Sequence, residues 1–510
     1  MKIVSKTFAA VLLAGTASLA LASGAQAAGE QGSDGTTAAQ SASSDTNAKI
    51  KALEEKIQEL SDQVQDLKRS TSDQYTDVQN QQTAAVKVSI ANGRPTISSA
   101  DGNFTASLRA NVQYDTAYYS QNRADTKKLT PALGRDLSSG TNFRRAQFGL
   151  DGTAFANWSY SFIYDFGGSN GAEQQGRVSS AYIQYSGLAP FQFRIGAFAP
   201  YIGLEDSTSA ADLLFPERPT PSELSRANTG GDGRSAIQIA AIGDDYLASI
   251  SYSGSSATTA AVYDEQQAVN GRLAYLFYSD LDTKFVGSLS GVYEFDAPDS
   301  VASAPGATNI TLADRPELRV DGTQLITTTI DAKRLLIGGA EAGIVWKSLY
   351  AQGGWFTYDF TRRASTLPDP NFSGWYLQGS WILTGESKPY DATRAAFRNP
   401  KPANPLDFGD TPGIGAWELA ARYSFTDLNY RENLTPALGG VRGGEQKIFT
   451  AGLHWYPNNS IKLLFDYSYV DIGRLNPSAI AASSPYPAVP AGADIGQSFS
   501  TFNLRTQIAF

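Results

Sequence analysis

The segment Asn103–Tyr114, with the sequence NFTASLRANVQY, alternates polar and apolar side chains without a break. Every even position from Phe104 onward is apolar, and every odd position is polar. A repeat of two residues places the apolar side chains on one face of a β-strand, whereas a helix would scatter them around its axis. The segment therefore predicts a strand with one apolar and one polar face.

The same alternation recurs along the rest of the chain. Large and aromatic side chains occupy the apolar positions, and Arg, Gln, Asn, Ser and Asp lie between them. The further segments are Trp158–Phe166, Phe191–Ala197, Trp375–Leu383, Trp417–Phe425, Phe449–Trp455, Ile461–Tyr469 and Phe502–Phe510. The chain is thus predicted to be all-β from about residue 103 onward.

The connections between these segments have two lengths. Some are short, as at Ala156–Asn157 and Pro457–Asn459. Others are long and rich in Gly, Pro, Asp and Ser, near residues 205–235, 296–320, 385–413, 430–445 and 471–496. Short turns on one rim and long loops on the other are typical of outer-membrane barrels. We expect these two sets of connections to lie on opposite rims.

A soluble β-sandwich or propeller would also alternate. A thin sandwich of this length, however, would have to expose too many polar residues, because large aromatic side chains fill one face of nearly every strand. Mean hydropathy is −0.26, which a barrel allows since its lipid-facing side chains occupy only alternate positions. The sequence therefore favours an all-β transmembrane barrel.

The N-terminal region has the features of a secretory signal. Lys2 and Lys6 precede the apolar stretch Phe8–Ala22, and Ala25–Ala27 offers a small-x-small cleavage pattern. The alternative is a membrane anchor, but the stretch is shorter than the roughly 20 apolar residues that a spanning helix needs. We predict a signal peptide over residues 1–27, a disordered spacer over 28–48 that is rich in Gly, Ser, Thr and Ala, and the barrel over 81–510.

Between spacer and barrel lies a heptad pattern, predicted as a coiled-coil segment over residues 49–80. Its apolar positions, spaced alternately by three and four, are Ile50, Leu53, Ile57, Leu60, Val64 and Leu67. Such spacing aligns them on one narrow seam of a helix. β-Branched residues at a with Leu at d would alone favour two strands, although the oligomer of the barrel can override this preference. The alternative is an amphipathic helix on the protein's own surface.

Composition excludes several function classes. The chain has no cysteine, so disulfides and thiolate zinc sites are ruled out. Without Lys2 and Lys6 the formal charge of −9 becomes −11, which disfavours nucleic-acid binding. No cofactor or metal motif is expected. The single histidine, His454, lies on a predicted strand without a nucleophile motif, so we do not expect an enzyme.

Several blocks together resemble the phosphate-selective porin O/P family across residues 104–510. They include Phe143–Ala146 with Asp151–Thr153, Gly203–Glu205 with Thr208–Ser209 and Glu217–Arg218, Gln378–Trp381 with Thr384–Glu386, Gly415–Ser424, and Trp455–Asn458. The resemblance implies a barrel of about sixteen antiparallel strands, a homotrimer, and a constriction made by an inward-folded third loop at about Leu204–Gly233. The final Phe510 resembles the signal read by the barrel assembly machinery.

A porin selects solutes by the size and the charge of its constriction. Cationic side chains at lumen parity are Arg109, Arg145, Arg194, Arg422, Lys462 and Arg505, against Asp151, Asp165, Glu418 and Asp466. A series of guanidinium groups would pass an anion along without trapping it. The alternative for each of these residues is that it is an ordinary wall charge held in an ion pair, with no role in selectivity.

The resemblance assigns anion-attracting roles to Arg109, Arg144 and Arg145, and ion contacts in the third loop to Ser209 and Arg218. Arg144 has the wrong parity for the wall, which indicates a rim position or a bulge. Two departures stand out. Phosphate-selective members have lysines where this chain has Asp206 and Ala211. A carboxylate at the constriction repels a multivalent anion, so we expect weak anion preference.

The sequence thus predicts an outer-membrane porin of a Gram-negative cell, surrounded by outer-membrane lipid, with its coiled coil in the periplasm. Small hydrophilic solutes, preferentially phosphate, pyrophosphate or other anions, would pass by diffusion. One alternative is a general, non-selective porin. Another is a barrel whose main role is to tether the outer membrane through its heptad segment.

Overall fold

The computed structural model describes residues 38–84, 86–91, 93–121, 136–167, 176–229, 231–257, 264–299, 309–363, 366–406, 413–482 and 488–510. The predicted signal peptide, and residues 28–37 of the predicted spacer, lie outside these ranges. The chain divides into two compact units, Met1–Thr83 and Ala84–Phe510. Each unit is described separately below.

The first unit contains one long helix, α1, over Ala38–Ala84. It begins within the predicted spacer, before the predicted boundary at residue 49, because residues 38–48 include four alanines and one glutamine, which are good helix formers. The six side chains of the heptad seam are between 48% and 66% exposed within a single chain. No helix in the described part of the chain is both long enough and apolar enough to cross a bilayer. The coiled coil itself stays a prediction.

The second unit is built mainly from strands. They are β1 Lys87–Ala91, β2 Arg94–Ser98, β3 Thr105–Ser120, β4 Gly140–Ala154, β5 Trp158–Asp165, β6 Arg177–Leu188, β7 Phe191–Phe198, β8 Arg234–Ile242, β9 Tyr246–Ser256, β10 Gln267–Ser279, β11 Thr283–Asp296, β12 Asn309–Asp314, β13 Ile326–Trp346, β14 Leu349–Arg362, β15 Asn371–Ile382, β16 Tyr390–Asp391, β17 Ala396–Phe397, β18 Ala416–Tyr430, β19 Val441–Tyr456, β20 Ile461–Gly473 and β21 Gln497–Ala509. Two short helices, α2 over Leu204–Ser207 and α3 over Thr220–Thr229, and a 3-10 turn at Pro436–Leu438 complete it.

Sixteen of the strands form a closed antiparallel barrel, as predicted. Closure occurs where β21 pairs with β3, from Ser500 opposite Ser120 to Ala509 opposite Asn111. The barrel omits the β1–β2 hairpin, which adds to the start of β3 through Thr96 opposite Ser107, as well as β12 and the small β16–β17 hairpin. Because the last strand bonds to the first, the barrel itself presents no open edge.

The two faces of each strand are reversed relative to a soluble protein. In β18, Glu418 and Arg422 point inward and are 0% and 2% exposed, whereas Leu419 points outward and is 44% exposed. Apolar side chains therefore form the outer face. The inner face carries many polar side chains, together with a buried apolar cluster that includes Ile337, Phe356 and Ile448. The two-residue repeat of the sequence predicted this inversion, and the structure confirms it.

The connections at the two rims follow the predicted asymmetry with one exception. Short turns lie at residues 155–157, 189–190, 243–245, 280–282, 347–348 and 457–460. The long stretch at 385–413, which we expected among the long loops, joins β15 to β18 at the rim of the short turns instead. The direction of the strands requires this, because β14 leaves the short-turn rim and β15 returns to it. The described residues of this stretch, 385–406 and 413, fold into the lumen.

Candidate functional site

Residues 199–233, between β7 and β8, form a loop inside the barrel, which we call the inward loop. Side chains from the wall donate hydrogen bonds to it at several points. Gln113 Nε2 lies 3.0 Å from Ala210 O, Gln507 Nε2 lies 2.9 Å from Ala211 O, and Arg272 Nη1 lies 2.9 Å from Ser207 Oγ. These donors come from β3, β21 and β10, so the loop crosses the lumen as the resemblance implies.

A second segment, residues 383–406 and 413–415, enters the lumen from the short-turn rim; we call it the inner segment. Arg272 of β10 donates to the carbonyls of Arg394 and Ala395 at 2.7 and 2.8 Å. The backbone N–H of Asn399 donates to Asp212 of the inward loop at 3.1 Å. The inner segment therefore braces the inward loop. The sequence could have revealed the position of this segment, because connections alternate between the two rims. Counting strands from the neighbouring short turns places the connection between β15 and β18 at the short-turn rim.

Five of the predicted pore residues are buried beside the inward loop, and within the described part of the chain all of them except Arg145 donate a hydrogen bond to the loop. They are Arg144, Arg145, Arg422, Lys462 and Arg505, and each is at most 5% exposed. A register shift between Gln113 and Tyr114 on β3 makes Arg144 the extra residue of a bulge in β4. The bulge brings Arg144 and Arg145 to the same inner face, which explains the parity of Arg144.

Glu217 of the inward loop is the centre of this anchoring. Its carboxylate accepts from Arg144 Nε at 2.6 Å, Arg319 Nε at 3.2 Å and Arg505 Nη2 at 3.2 Å. Burial raises the pKa of Glu217, but the guanidinium groups of Arg144, Arg319 and Arg505 outweigh burial and hold this pKa well below its ordinary value. The carboxylate is therefore charged at neutral pH.

The other anchoring cations have their own partners. Arg505 also pairs with Asp115 at 2.6 Å, and Arg422 pairs with Glu317 at 2.5 Å. Arg145 donates to Gln113 Oε1 at 2.7 Å, and Lys462 donates to the carbonyl of Leu213 and to Asn399 Oδ1. The ion pairs of Arg422 and Arg505 fit the interpretation of ordinary wall charges. Arg145 and Lys462 instead have uncharged hydrogen-bond partners, and all four groups are shielded from the lumen.

The other five predicted residues line a cavity of about 380 Å³, which we call the passage. They are Arg109, Arg194, Asp206, Ser209 and Arg218. The passage lies between the inner faces of β3 to β7 and the two inward-folded segments, and it extends to Ala509 at the short-turn rim. Sequence analysis missed four further arginines that line it, namely Arg94, Arg226, Arg394 and Arg398.

The charge of the passage is positive. Seven arginines line it, against the aspartates Asp151, Asp206, Asp212 and Asp232. Asp151 is shared by Arg94 and Arg109 at 2.8 and 3.1 Å, and Arg398 pairs with Asp391 of its own segment. Within the described ranges, no carboxylate lies within ion-pair distance of Arg194, Arg218 or Arg394.

Asp206 differs from the expectation of a free carboxylate at the constriction. It is 7% exposed and forms an ion pair with Arg226 Nε at 2.9 Å. Burial raises the pKa of Asp206, with Arg226 and Arg218 opposing the shift. Because Arg226 lies so close, its charge largely cancels the repulsion that Asp206 would exert on an anion.

The remaining loop positions have structural contacts as well. Arg218 donates to the carbonyls of Thr208 and Asp206 at 2.8 and 3.1 Å, which holds the turn that presents Ser209 to the passage. The carbonyl of Ala211 accepts from Asn399 Nδ2 at 2.7 Å and from Gln507. The loop backbone at Ala211 thus contacts both the wall and the inner segment.

A closed barrel with a polar interior, two inward-folded segments and a cationic passage defines an outer-membrane porin. The chain belongs to the family of phosphate-selective porins O and P, whose profile matches residues 110–476. It is 27% identical to Porin O of Pseudomonas aeruginosa over 356 residues, which are 64% of this chain and 75% of that protein.

Two solved structures are among those that match this chain. An anion-selective porin from Comamonas acidovorans is 13% identical, with a TM-score of 0.46, and the match covers 80% of this chain and 100% of that one. OmpT, an outer-membrane protein of Vibrio cholerae, is 10% identical, with a TM-score of 0.45 and a coverage of 80% and 98%.

The substitution Glu217→Gln tests the anchoring of the inward loop. It keeps the shape but removes the charge that three arginines share, and breaking a buried ion pair costs about 3–5 kcal/mol. We expect larger and noisier single-channel currents in planar bilayers. The ordinary pKa of a glutamate carboxyl is 4.5, and the pKa of Glu217 lies well below it. In the wild type the anchor should therefore stay intact as the pH falls to 4.5 and weaken only at lower pH.

The matched control is Glu265→Gln, which removes an exposed carboxylate that accepts only the backbone N–H of Ser255, at 3.0 Å, within the described part of the chain. Its currents should equal those of the wild type. Unchanged conductance and unchanged current noise in Glu217→Gln would show that the charge of Glu217 does not hold the loop.

Proposed function

We propose that this porin lets small hydrophilic anions diffuse across the outer membrane with a modest preference over cations. The observation that carries this proposal is the net positive charge of the passage, with three arginines that lack a carboxylate partner among the described residues. A pore needs binding strong enough to admit an ion and weak enough to release it. Arginines at intervals along the wall supply such binding.

Phosphate specificity is not part of the proposal. Relatives in the family carry the name phosphate-selective, but this chain has Asp206 and Ala211 where the resemblance expects lysines. Arg226 offsets Asp206 without adding a net positive charge there. The passage therefore has fewer free cations near the inward loop than a site that captures a multivalent anion requires.

Arg394 is the residue to test for ion preference. It lies half-buried on the inner segment, lines the passage and has no carboxylate partner among the described residues. Arg394→Gln should lower the chloride-to-potassium permeability ratio by about twofold to fivefold, because it removes one unscreened charge from a narrow passage. Reversal potentials across planar bilayers in a potassium chloride gradient give the ratio.

The control for this measurement is Arg363→Gln, which removes a guanidinium that pairs with Asp331 at 3.1 Å outside the passage. It should preserve the permeability ratio. The proposed anion preference is wrong if the wild-type channel favours potassium. Equal shifts in both variants would mean that Arg394 does not act within the passage.

Asp206→Lys tests whether the carboxylate at this position weakens the binding of phosphate. The substitution replaces a paired carboxylate by a cation and leaves Arg226 with Asp232 at 2.7 Å. We expect phosphate to block chloride current at a concentration about tenfold lower than in the wild type, since the net charge at the loop rises by two. Titration of phosphate during single-channel recording in chloride measures this. If both channels favour cations strongly, the anion interpretation fails.

We also propose that the protein is a homotrimer whose α1 helices pack through the heptad seam in the periplasm. The exposed seam supports packing between copies, and α1 is followed in sequence by β1 and β2 at the short-turn rim, which faces the periplasm in such barrels. Outer-membrane lipid around the apolar face, and the barrel assembly machinery acting through Phe510, complete the proposed partners. Catalysis is not proposed, since His454 is fully buried between Asp466 and Glu418.

Deletion of residues 46–70 separates assembly and tethering from transport. If the seam joins copies, the deletion should weaken the trimer, measured as a lower melting temperature of the oligomer on native gels, and leave the current of each pore unchanged. We expect contacts between the barrels to keep the protomers together in this variant. Loss of envelope integrity with normal conductance would favour tethering as the main role. Unchanged oligomer stability would contradict packing of the seam.

A further inference from the structure

The inner wall of the passage carries an apolar patch that transport of inorganic ions does not require. Ile163 on β5 and Tyr182 on β6 point inward beside polar residues. Phe198 at the end of β7 and Tyr201 also line the passage but are only 2% and 8% exposed. The lumen face of such barrels is normally polar because it contacts water. An apolar patch that lines a passage indicates contact with something less polar than water.

Arg194 lies at the centre of this patch. The central carbon of its guanidinium is 4.5 Å from the centre of the Tyr182 ring, 5.2 Å from that of Phe198 and 5.6 Å from that of Tyr201. Its Nε donates to Gln184 Oε1 at 2.8 Å. Stacking on aromatic rings and this one hydrogen bond hold the guanidinium in place while its charge persists.

The terminal nitrogens of Arg194 have no hydrogen-bond partner among the described residues, and no carboxylate there pairs with it. The next arginine in the passage, Arg109, is already paired with Asp151. Arg194 therefore offers a free pair of donors beside a surface of aromatic and aliphatic side chains.

The backbone is adapted to this arrangement at Gly196. Its φ of +137° is a conformation that residues with a side chain rarely adopt. A Cβ at this position would lie 2.8 Å from Tyr182 Cα and 3.1 Å from Tyr182 Cβ. Glycine thus allows Tyr182 to pack close to β7 and under the Arg194 guanidinium.

We propose that Arg194 with Ile163 and Tyr182 forms a subsite for an aromatic monocarboxylate that moves through the passage. The planar fork of a guanidinium matches a carboxylate in a bidentate arrangement. The apolar side chains contact the ring of such a solute and gain by excluding water from it. The inference rests on the proposed function, since it names a class of anion that the same passage accepts.

Two simpler classes of anion fit this patch less well. A phosphate dianion would have to lose water against the aromatic rings, with a single free guanidinium to compensate. A small carboxylate such as acetate would satisfy Arg194 but leave the apolar side chains in contact with water. The combination of charge and ring therefore selects for the larger, monovalent organic anion.

Competition with chloride current tests the proposal, with benzoate and acetate as the two probes. Full-length wild-type protein in planar bilayers is recorded in potassium chloride while each probe is titrated. Benzoate should reduce the current by half at a concentration about tenfold below that of acetate, which corresponds to contact with the ring in addition to the carboxylate. Equal half-blocking concentrations for benzoate and acetate would overturn the subsite.

Three variants locate the effect. Tyr182→Phe keeps the ring and should keep the benzoate preference, whereas Tyr182→Leu should reduce it to about threefold or less because the stacking surface is lost. Arg194→Gln should raise the half-blocking concentrations of both benzoate and acetate. Arg363→Gln, which changes the charge equally outside the passage, serves as the control. A benzoate preference that stays near tenfold in Tyr182→Leu would contradict the proposal. Half-blocking concentrations that Arg194→Gln leaves unchanged would also contradict it, because they would place the site elsewhere.

The same recordings separate this inference from the proposed function. Reversal potentials are measured in each membrane before the probes are added. A wild-type channel that favours potassium contradicts the anion preference and the subsite together. A channel that favours chloride but does not distinguish benzoate from acetate contradicts the subsite alone.

Discussion

The hydrogen bonds between β21 and β3 are the constraint on which the whole structure depends. In the hydrocarbon of a bilayer no water is available to an unpaired backbone N–H or C=O, and each one left unpaired costs several kcal/mol. A sheet can meet this condition only by closing on itself. Closure then places every second side chain toward lipid and the others toward the lumen along all sixteen strands.

A barrel of this size leaves a lumen that the chain itself must fill to become selective. Here two segments enter it from opposite rims, the inward loop from the long-loop side and the inner segment from the short-turn side. They meet at the contact between Asn399 and Asp212. Both segments carry polar backbone into the interior, so they need partners there, and arginines and glutamines of the wall supply them.

This requirement explains why the arginines divide into two groups. Arg144 and Arg505 form ion pairs with Glu217, and Arg505 also donates to the loop backbone. Both are therefore shielded from any passing solute. Arg194 and Arg394 face the passage without a carboxylate partner among the described residues. Selectivity thus depends on the small excess of positive charge that remains after the other arginines have anchored the loop. Because this excess is small, a local feature such as the aromatic patch beside Arg194 can influence which anions pass.

The sequence by itself determined the class of fold and the side of each strand that faces water, because a two-residue repeat allows a single arrangement in lipid. It also placed Arg109, Arg194 and Arg422 on the inner face through parity alone. Only the tertiary structure decided which of these charges remain free, since the partners of Arg422 and Asp206 come from distant segments that meet inside the lumen. Strand direction, a property of the whole barrel, decided that the inner segment lies at the short-turn rim.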